Sequence, residues 1–143
     1  MHLIHRMVAP ASARPEEAQI TLNAERRLFL KRRWRGAAAD GTEFGFDLED
    51  RLRDGCVFFQ TDAADYVIRQ EPEMVYQVRV DSMALAALVG WKVGNLHFPV
   101  QITPDAVRIT HDPAILQLLE REGWAFEEAS VVFNPLRAVP HAS

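Results

Sequence analysis

Hydrophobic and polar positions follow two different patterns along the chain, and the change between them falls near Glu71-Pro72-Glu73. Before this point apolar residues alternate with polar ones in short runs, as in residues 44–48, and Asp40-Gly41 predicts a hairpin turn. Other strand-like runs are residues 19–30, 56–59 and 65–69. Residues 9–18 are rich in proline and small side chains, which predicts a mobile lead-in. Short strands with glycine turns indicate a small all-β module.

After Pro72 the pattern alternates between strands and helices. Valines at positions 75, 78 and 80 begin a strand, and Asp81-Ser82 can cap a helix that carries Met83, Leu85, Leu88, Val89 and Trp91. Residues 98–102 and 106–109 predict two more strands. Asp112 followed by Pro113 opens a second helix, which ends near Gly123, and residues 124–132 supply a last strand. The order β-α-β-β-α-β is that of a ferredoxin-like domain.

The sequence therefore predicts an α+β protein of two domains. We expect a small N-terminal all-β domain over residues 1–72 and a ferredoxin-like domain over residues 73–143. The last segment, from about residue 134, contains few residues that can pack into a core, and we expect it to be flexible.

Composition and charge narrow the class of protein. The chain has 143 residues, 48% of them hydrophobic and 25% charged, which is the balance of a globular protein. Its formal net charge of −4 argues against a surface that binds nucleic acid. A local basic cluster alternates with apolar residues and is interpreted as a solvated strand face; it comprises Arg26, Arg27, Lys31, Arg32, Arg33 and Arg35.

The expected location is the cytoplasm. The single cysteine, Cys56, cannot form an internal disulfide, as is typical of a reducing compartment. Residues 1–8 contain no apolar run long enough for a signal peptide, and no segment has the length of a membrane span. Neither the acidic residues nor the glycines form a pattern typical of a catalytic or phosphate-binding site, so the chain is not expected to be an enzyme.

The stretch Gly94-Asn95-Leu96-His97-Phe98-Pro99-Val100 carries the strongest candidate for binding chemistry. It lies where the first predicted helix gives way to a strand, Gly94 permits a positive φ, and Pro99 forces Phe98 to be extended. We therefore expect His97 to be held by rigid neighbours. Imidazole is a common ligand for nickel, copper and zinc, although most histidines in globular proteins have only structural roles.

Residues 90–102, around Gly-Asn-x-His-x-Pro, resemble the segment that marks the UreE family of nickel metallochaperones in urease maturation. The resemblance covers about residues 19–135. Its other matching pieces are residues 28–33 with Asp40-Gly41, residues 52–55, and Thr110-His111-Asp112 before a helix that ends near Gly123. It implies the same two-domain architecture and a metal-binding role for His97.

The resemblance also implies a set of metal ligands. One histidine from one chain is a poor nickel site, so a homodimer with His97 from both chains near the two-fold axis is expected. His111 matches a place where the family has auxiliary ligands, although the second histidine of that group is replaced here by Pro113. His141 in the tail is a third candidate. His2 and His5 are not expected to bind metal.

By resemblance, the chain delivers Ni²⁺ during assembly of the urease active site, and zinc or copper can substitute in vitro. The implied partners are the urease-maturation GTPase of the UreG type and the urease pre-activation complex; no membrane or nucleic acid is expected. The alternative from the residues alone is a homodimeric interaction module that binds no metal and uses His97 structurally.

Overall fold

The computed structural model describes residues 1–136, and the chain divides into two compact units, residues 1–71 and a unit that begins at Pro72. The N-terminal unit contains two three-stranded sheets. In sheet order, the strands are β1 (His2–Ile4), β4 (Glu43–Asp47) and β3 (Arg33–Ala37) in one sheet and β2 (Gln19–Ala24), β6 (Asp65–Gln70) and β5 (Val57–Gln60) in the other. The predicted β-rich N-terminal region is confirmed.

Turn chemistry explains the β3–β4 hairpin. Gly41 has φ +87°, a conformation that other residues rarely adopt. Asp40 accepts a hydrogen bond from the Thr42 backbone N–H at 3.0 Å and another from the Tyr66 hydroxyl at 2.6 Å. The second bond ties the turn to β6. The hydrogen bond from Tyr66, which has the larger effect, and the one from Thr42 lower the pKa of the Asp40 carboxyl below its usual value.

Aromatic side chains dominate the core of the N-terminal unit. Phe44, Phe46, Phe58 and Tyr66 are all buried. Phe44 meets Phe58 edge to face, with ring centroids 4.9 Å apart, and Trp34 stacks on Phe46 at 4.0 Å. This packing uses the apolar positions that the alternating pattern marks.

The strand expected over residues 19–30 ends early. After β2 the chain forms one helical turn, α1 (Arg26–Phe29), which buries Phe29 and leaves Leu30 49% exposed. The alternation of Leu28 and Leu30 is therefore misleading, because one inward-facing aromatic ring decides the conformation. In the basic cluster, Arg26 and Arg27 are thus helical; Arg32 and Arg33 both pair with Asp47.

The lead-in over residues 9–18 is also more ordered than expected. Ala9 forms a β-bridge with Val57. Further along, the hydroxyl of Ser12 donates to Asp65 at 2.7 Å, and Arg14 forms an ion pair with the same carboxylate at 3.0 Å. Asp65 is buried and needs partners for its charge, which explains why this polar segment is fastened to the unit.

The C-terminal unit has the predicted β-α-β-β-α-β order. Its elements are β7 (Glu73–Arg79), α2 (Met83–Asn95), β8 (Val100–Ile102), β9 (Ala106–Thr110), α3 (Pro113–Glu122) and β10 (Glu127–Val131). The four strands are antiparallel in the order β10-β7-β9-β8, which confirms the ferredoxin-like prediction. Both helices contribute to one core with the sheet, through residues such as Val93 and Leu119.

The helix boundaries follow from local signals. Ser82 caps α2 by accepting from the Leu85 N–H, and Asp112 caps α3 by accepting from the Ala114 N–H at 2.8 Å. Gly123 ends α3 with φ +70°. Within residues 1–136, no helix has both the length and the apolar character needed to cross a membrane.

Candidate metal centre

His97 lies in the short link between α2 and β8. Its backbone N–H donates to the Gly94 carbonyl at 3.0 Å, and its side chain is exposed. The left-handed residue of this link is His97 itself, with φ +60°, whereas Gly94 is still inside the helix. Gly94, which would permit a positive φ, is helical because α2 extends past it to Asn95. The next residue, Phe98, packs against the core and anchors the link.

His111 lies between the end of β9 and the cap residue of α3. Its ring stacks on Tyr76, with centroids 4.4 Å apart and planes 19° from parallel. Its Nε2 atom lies 3.5 Å from a carboxylate oxygen of Glu128. The imidazole is 41% exposed, so solvent and a metal ion can reach it.

The sheet places both histidines at the same end of the C-terminal unit. Val100 of β8 pairs with Ile109 of β9, so β8 begins where β9 ends. His97 lies in the link before β8, and His111 directly follows the last residue of β9. Among residues 1–136, however, no group of three or more histidine, cysteine or acidic side chains could hold a metal ion.

The start of the C-terminal tail returns to this end of the sheet. The Asn134 N–H donates to the side-chain oxygen of Gln101 at 3.1 Å, and the Leu136 N–H donates to the Val100 carbonyl at 2.8 Å. These bonds attach residues 134 and 136 to β8, an edge strand that offers unpaired acceptors. His141 lies outside the described residues.

The two N-terminal histidines are held in the N-terminal unit. His2 belongs to β1 and its ring lies 4.5 Å from that of Phe59, while the His5 Nδ1 atom is 3.0 Å from the Asp47 carbonyl oxygen. Asp47 is itself engaged by arginines: the hydrogen bond from Arg33 is the main cause that lowers the pKa of its carboxyl. These groups therefore have structural partners.

Tyr76 and Glu128 are neighbours of His111 that the sequence did not predict. Neither belongs to a motif, and both are distant from His111 along the chain. Only the pairing of the strands brings the three side chains together, so the local sequence contained no signal for them.

Comparison with known proteins identifies the family. Residues 73–142 match the model of the UreE urease accessory protein, C-terminal domain. A urease accessory protein UreE from Rhodobacter capsulatus is 37% identical over 140 residues, which cover 94% of this chain and 86% of that protein. The chain belongs to the UreE family. A UreE protein from Pseudomonas putida strain W619 is 32% identical over 86% of this chain and 80% of its own length. Another, from Chelativorans sp. strain BNC1, is 31% identical over 87% of this chain and 80% of its own length.

Membership of the UreE family decides the general role of the chain. UreE proteins are accessory nickel chaperones of urease maturation and are not enzymes. Both His97 and His111 lie in the part of this chain that matches the UreE C-terminal domain.

Helix α2 of this UreE chain has an exposed apolar surface. Met83, Leu88, Trp91 and Leu96, which follows the last helical residue, are 88%, 43%, 64% and 43% exposed. We call these four residues the α2 stripe. Because Val89 and Val93, on the side of the helix opposite Trp91, are buried, the helix is apolar on two faces, and such a helix normally packs on two sides. The stripe ends next to His97.

Proposed function

We propose that two copies of this chain pair through the α2 stripe and bind Ni²⁺ between the two His97 side chains. The observation that supports this proposal is that an exposed imidazole directly follows an exposed apolar helix face. In a two-fold interface each residue near the axis meets its own copy, so one histidine becomes two. Burial of the stripe supplies a driving force for association that is independent of metal.

Further donors complete the coordination in this proposal. Ni²⁺ takes four to six ligands; His141 is the additional nitrogen donor at the shared site, and His111 forms an auxiliary metal site on each chain. The Leu136 N–H donates a hydrogen bond to the Val100 carbonyl, at the same end of the sheet as His97. Five residues can span at most roughly 17 Å, so His141 can reach this end from its anchor. Zn²⁺ and Cu²⁺ compete for such sites, since imidazole binds all three metals.

Delivery of the metal follows from weak, shared coordination. A site with few protein ligands leaves positions open, and the ligands of a partner can enter before the first ones leave. The partners in this proposal are the UreG-type GTPase and the urease pre-activation complex in the cytoplasm. The domain over residues 73–143 binds metal and dimerises, and the domain over residues 1–72 contacts partners.

Equilibrium dialysis with Ni²⁺ tests the proposal directly. The unaltered chain should bind one tight Ni²⁺ per two chains, and His97→Ala should lose that site while its mass by sedimentation stays dimeric. His5→Ala is the matched control and should bind as the unaltered chain does. Equal stoichiometry and affinity for His97→Ala would overturn the assignment and favour the interaction module in which His97 is structural.

Removal of residues 137–143 tests His141 separately. This truncation keeps the hydrogen bond of Leu136 and removes one imidazole per chain. Affinity for Ni²⁺ should fall by about 1 to 2 kcal/mol, because ordering the segment offsets part of the bond that His141 makes. His141→Ala in the full chain should reproduce the loss. If neither variant changes the affinity, His141 is not a ligand.

A further inference from the structure

The imidazole of His111 is held from two sides. The Tyr76 ring lies parallel to it at 4.4 Å and restricts the plane of the imidazole. Glu128 faces one edge, with a carboxylate oxygen 3.5 Å from Nε2. Among the hydrogen bonds of residues 1–136, none involves the other ring nitrogen of His111, Nδ1.

The register of the sheet creates this arrangement. Glu128 of β10 is paired with Tyr76 of β7, and Tyr76 is paired with Ile109 of β9. His111 comes two residues after Ile109 and therefore continues the same face. Tyr76 is only 4% exposed, so it is a fixed support, whereas Glu128 is 58% exposed and can rotate by the small amount that a hydrogen bond to Nε2 needs.

We propose that Tyr76 and Glu128 are positioning residues for His111, which keep the proton on Nε2 and present Nδ1 to a metal ion. The proposal deepens the auxiliary metal-binding role of His111 and rests on that part of the proposed function. Glu128 does not touch the metal in this arrangement, and Nδ1 is the donor atom.

The position of the proton on the neutral imidazole explains why Nδ1 is the metal-binding atom. A neutral imidazole carries one proton, and a carboxylate beside Nε2 stabilises the tautomer in which Nε2 is the donor. The lone pair is then on Nδ1. Metal-binding histidines commonly donate their other ring N–H to a carboxylate, which fixes the ring and increases its basicity. Because Glu128 is half exposed, solvent screens its charge. Its stabilisation of the tautomer with the proton on Nε2 is therefore smaller than a buried carboxylate would provide.

Nitrogen NMR of the histidine rings tests the donor atom. The protein should carry ¹⁵N in its histidines and the substitution His97→Ala, so that the shared site does not contribute, and Zn²⁺ is the probe. We expect Zn²⁺ to shift the His111 Nδ1 resonance while Nε2 keeps its proton. A Zn²⁺-bound Nε2, or an ion that bridges Nε2 and the Glu128 carboxylate, would overturn the proposal.

A double-mutant cycle tests whether Glu128 acts through His111. Glu128→Ala should lower the affinity of the His111 site for Zn²⁺ about three- to tenfold, below the usual range for buried second-sphere carboxylates. In the His111→Ala background the same change should have no further effect. Glu120→Ala, an exposed carboxylate on α3, is the charge-matched control and should leave the affinity within about twofold. A loss that persists without His111 would overturn the positioning role.

The outcomes separate this proposal from the shared site. The NMR experiment observes His111 in a chain that lacks His97, whereas the dialysis experiment measures the shared site in the full chain. If Zn²⁺ moves neither nitrogen of His111, the positioning proposal fails and the His97 pair is unaffected. Tyr76→Phe keeps the stacked ring and should preserve the Nδ1 shift.

Discussion

His97 has φ +60°, in the left-handed region that costs a residue with a side chain about 1 kcal/mol. Glycine has no such penalty, so His97→Gly should raise the free energy of unfolding by about 0.5 kcal/mol while it abolishes tight Ni²⁺ binding. Urea denaturation at fixed protein concentration measures the change. Asparagine tolerates the same conformation, so the stability of His97→Asn should lie between those of His97→Gly and His97→Ala. A loss of stability in the glycine variant would mean that the imidazole itself supports the fold.

Glu127 shows the other residue-scale effect, a dependence on pH. Hydrogen bonds from Gln77 and Arg79 to its carboxylate lower its pKa below 4.5. The folded state therefore binds this proton less readily than the unfolded state, so the stabilisation is present above the unfolded pKa and is lost as pH falls through the folded one.

Glu127→Gln should accordingly lower the midpoint of thermal unfolding at about pH 7, and the difference from the unaltered chain should shrink towards about pH 3. Thermal scans followed by circular dichroism at several pH values provide the measurement. Glu120→Gln, without these hydrogen-bond partners, should show no such trend. A difference that is independent of pH would assign the effect to packing and not to charge.

At the scale of elements, the stability of α3 depends on its N-cap residue, Asp112. Asp112 accepts a hydrogen bond from the Ala114 N–H, which otherwise has no helical acceptor. Asp112→Ala should therefore lower the free energy of unfolding by about 1 kcal/mol, as measured by urea denaturation. Asp112→Asn keeps the acceptor oxygen, so it should lower the free energy of unfolding by only a few tenths as much as Asp112→Ala does. If asparagine is as harmful as alanine, the negative charge at the helix end matters more than the bond.

At the scale of the whole molecule, the α2 stripe should control association. Trp91 is 64% exposed at the centre of the stripe, and in a two-fold pair Trp91→Lys places two like charges in an apolar interface. Sedimentation should show a shift from dimer to monomer, together with loss of the Ni²⁺ shared by two chains. Leu30→Lys, at a residue 49% exposed on the N-terminal unit, is the control and should stay dimeric. A dimeric Trp91→Lys protein would place the interface elsewhere.

The sequence by itself determined the features that depend on residues close together along the chain. The caps at Ser82 and Asp112, the glycine at the end of α3, and the turn at Asp40-Gly41 each act within one turn of backbone, so they can be recognised without a structure. The β-α-β-β-α-β order follows from those signals and the hydrophobic period. The candidate ligand His97 was identified from its local segment and the resemblance that this segment carries.

Tertiary structure alone decided the features that depend on distant residues. The segment that contains Phe29 alternates like a strand, but it forms the helical turn α1, in which Phe29 is buried. The buried Asp65 forms an ion pair with Arg14 and so holds residues 9–18 in place. Strand register brought Tyr76 and Glu128 to His111. These contacts join residues far apart in the chain, and their energies depend on burial and pairing, which local propensity does not encode.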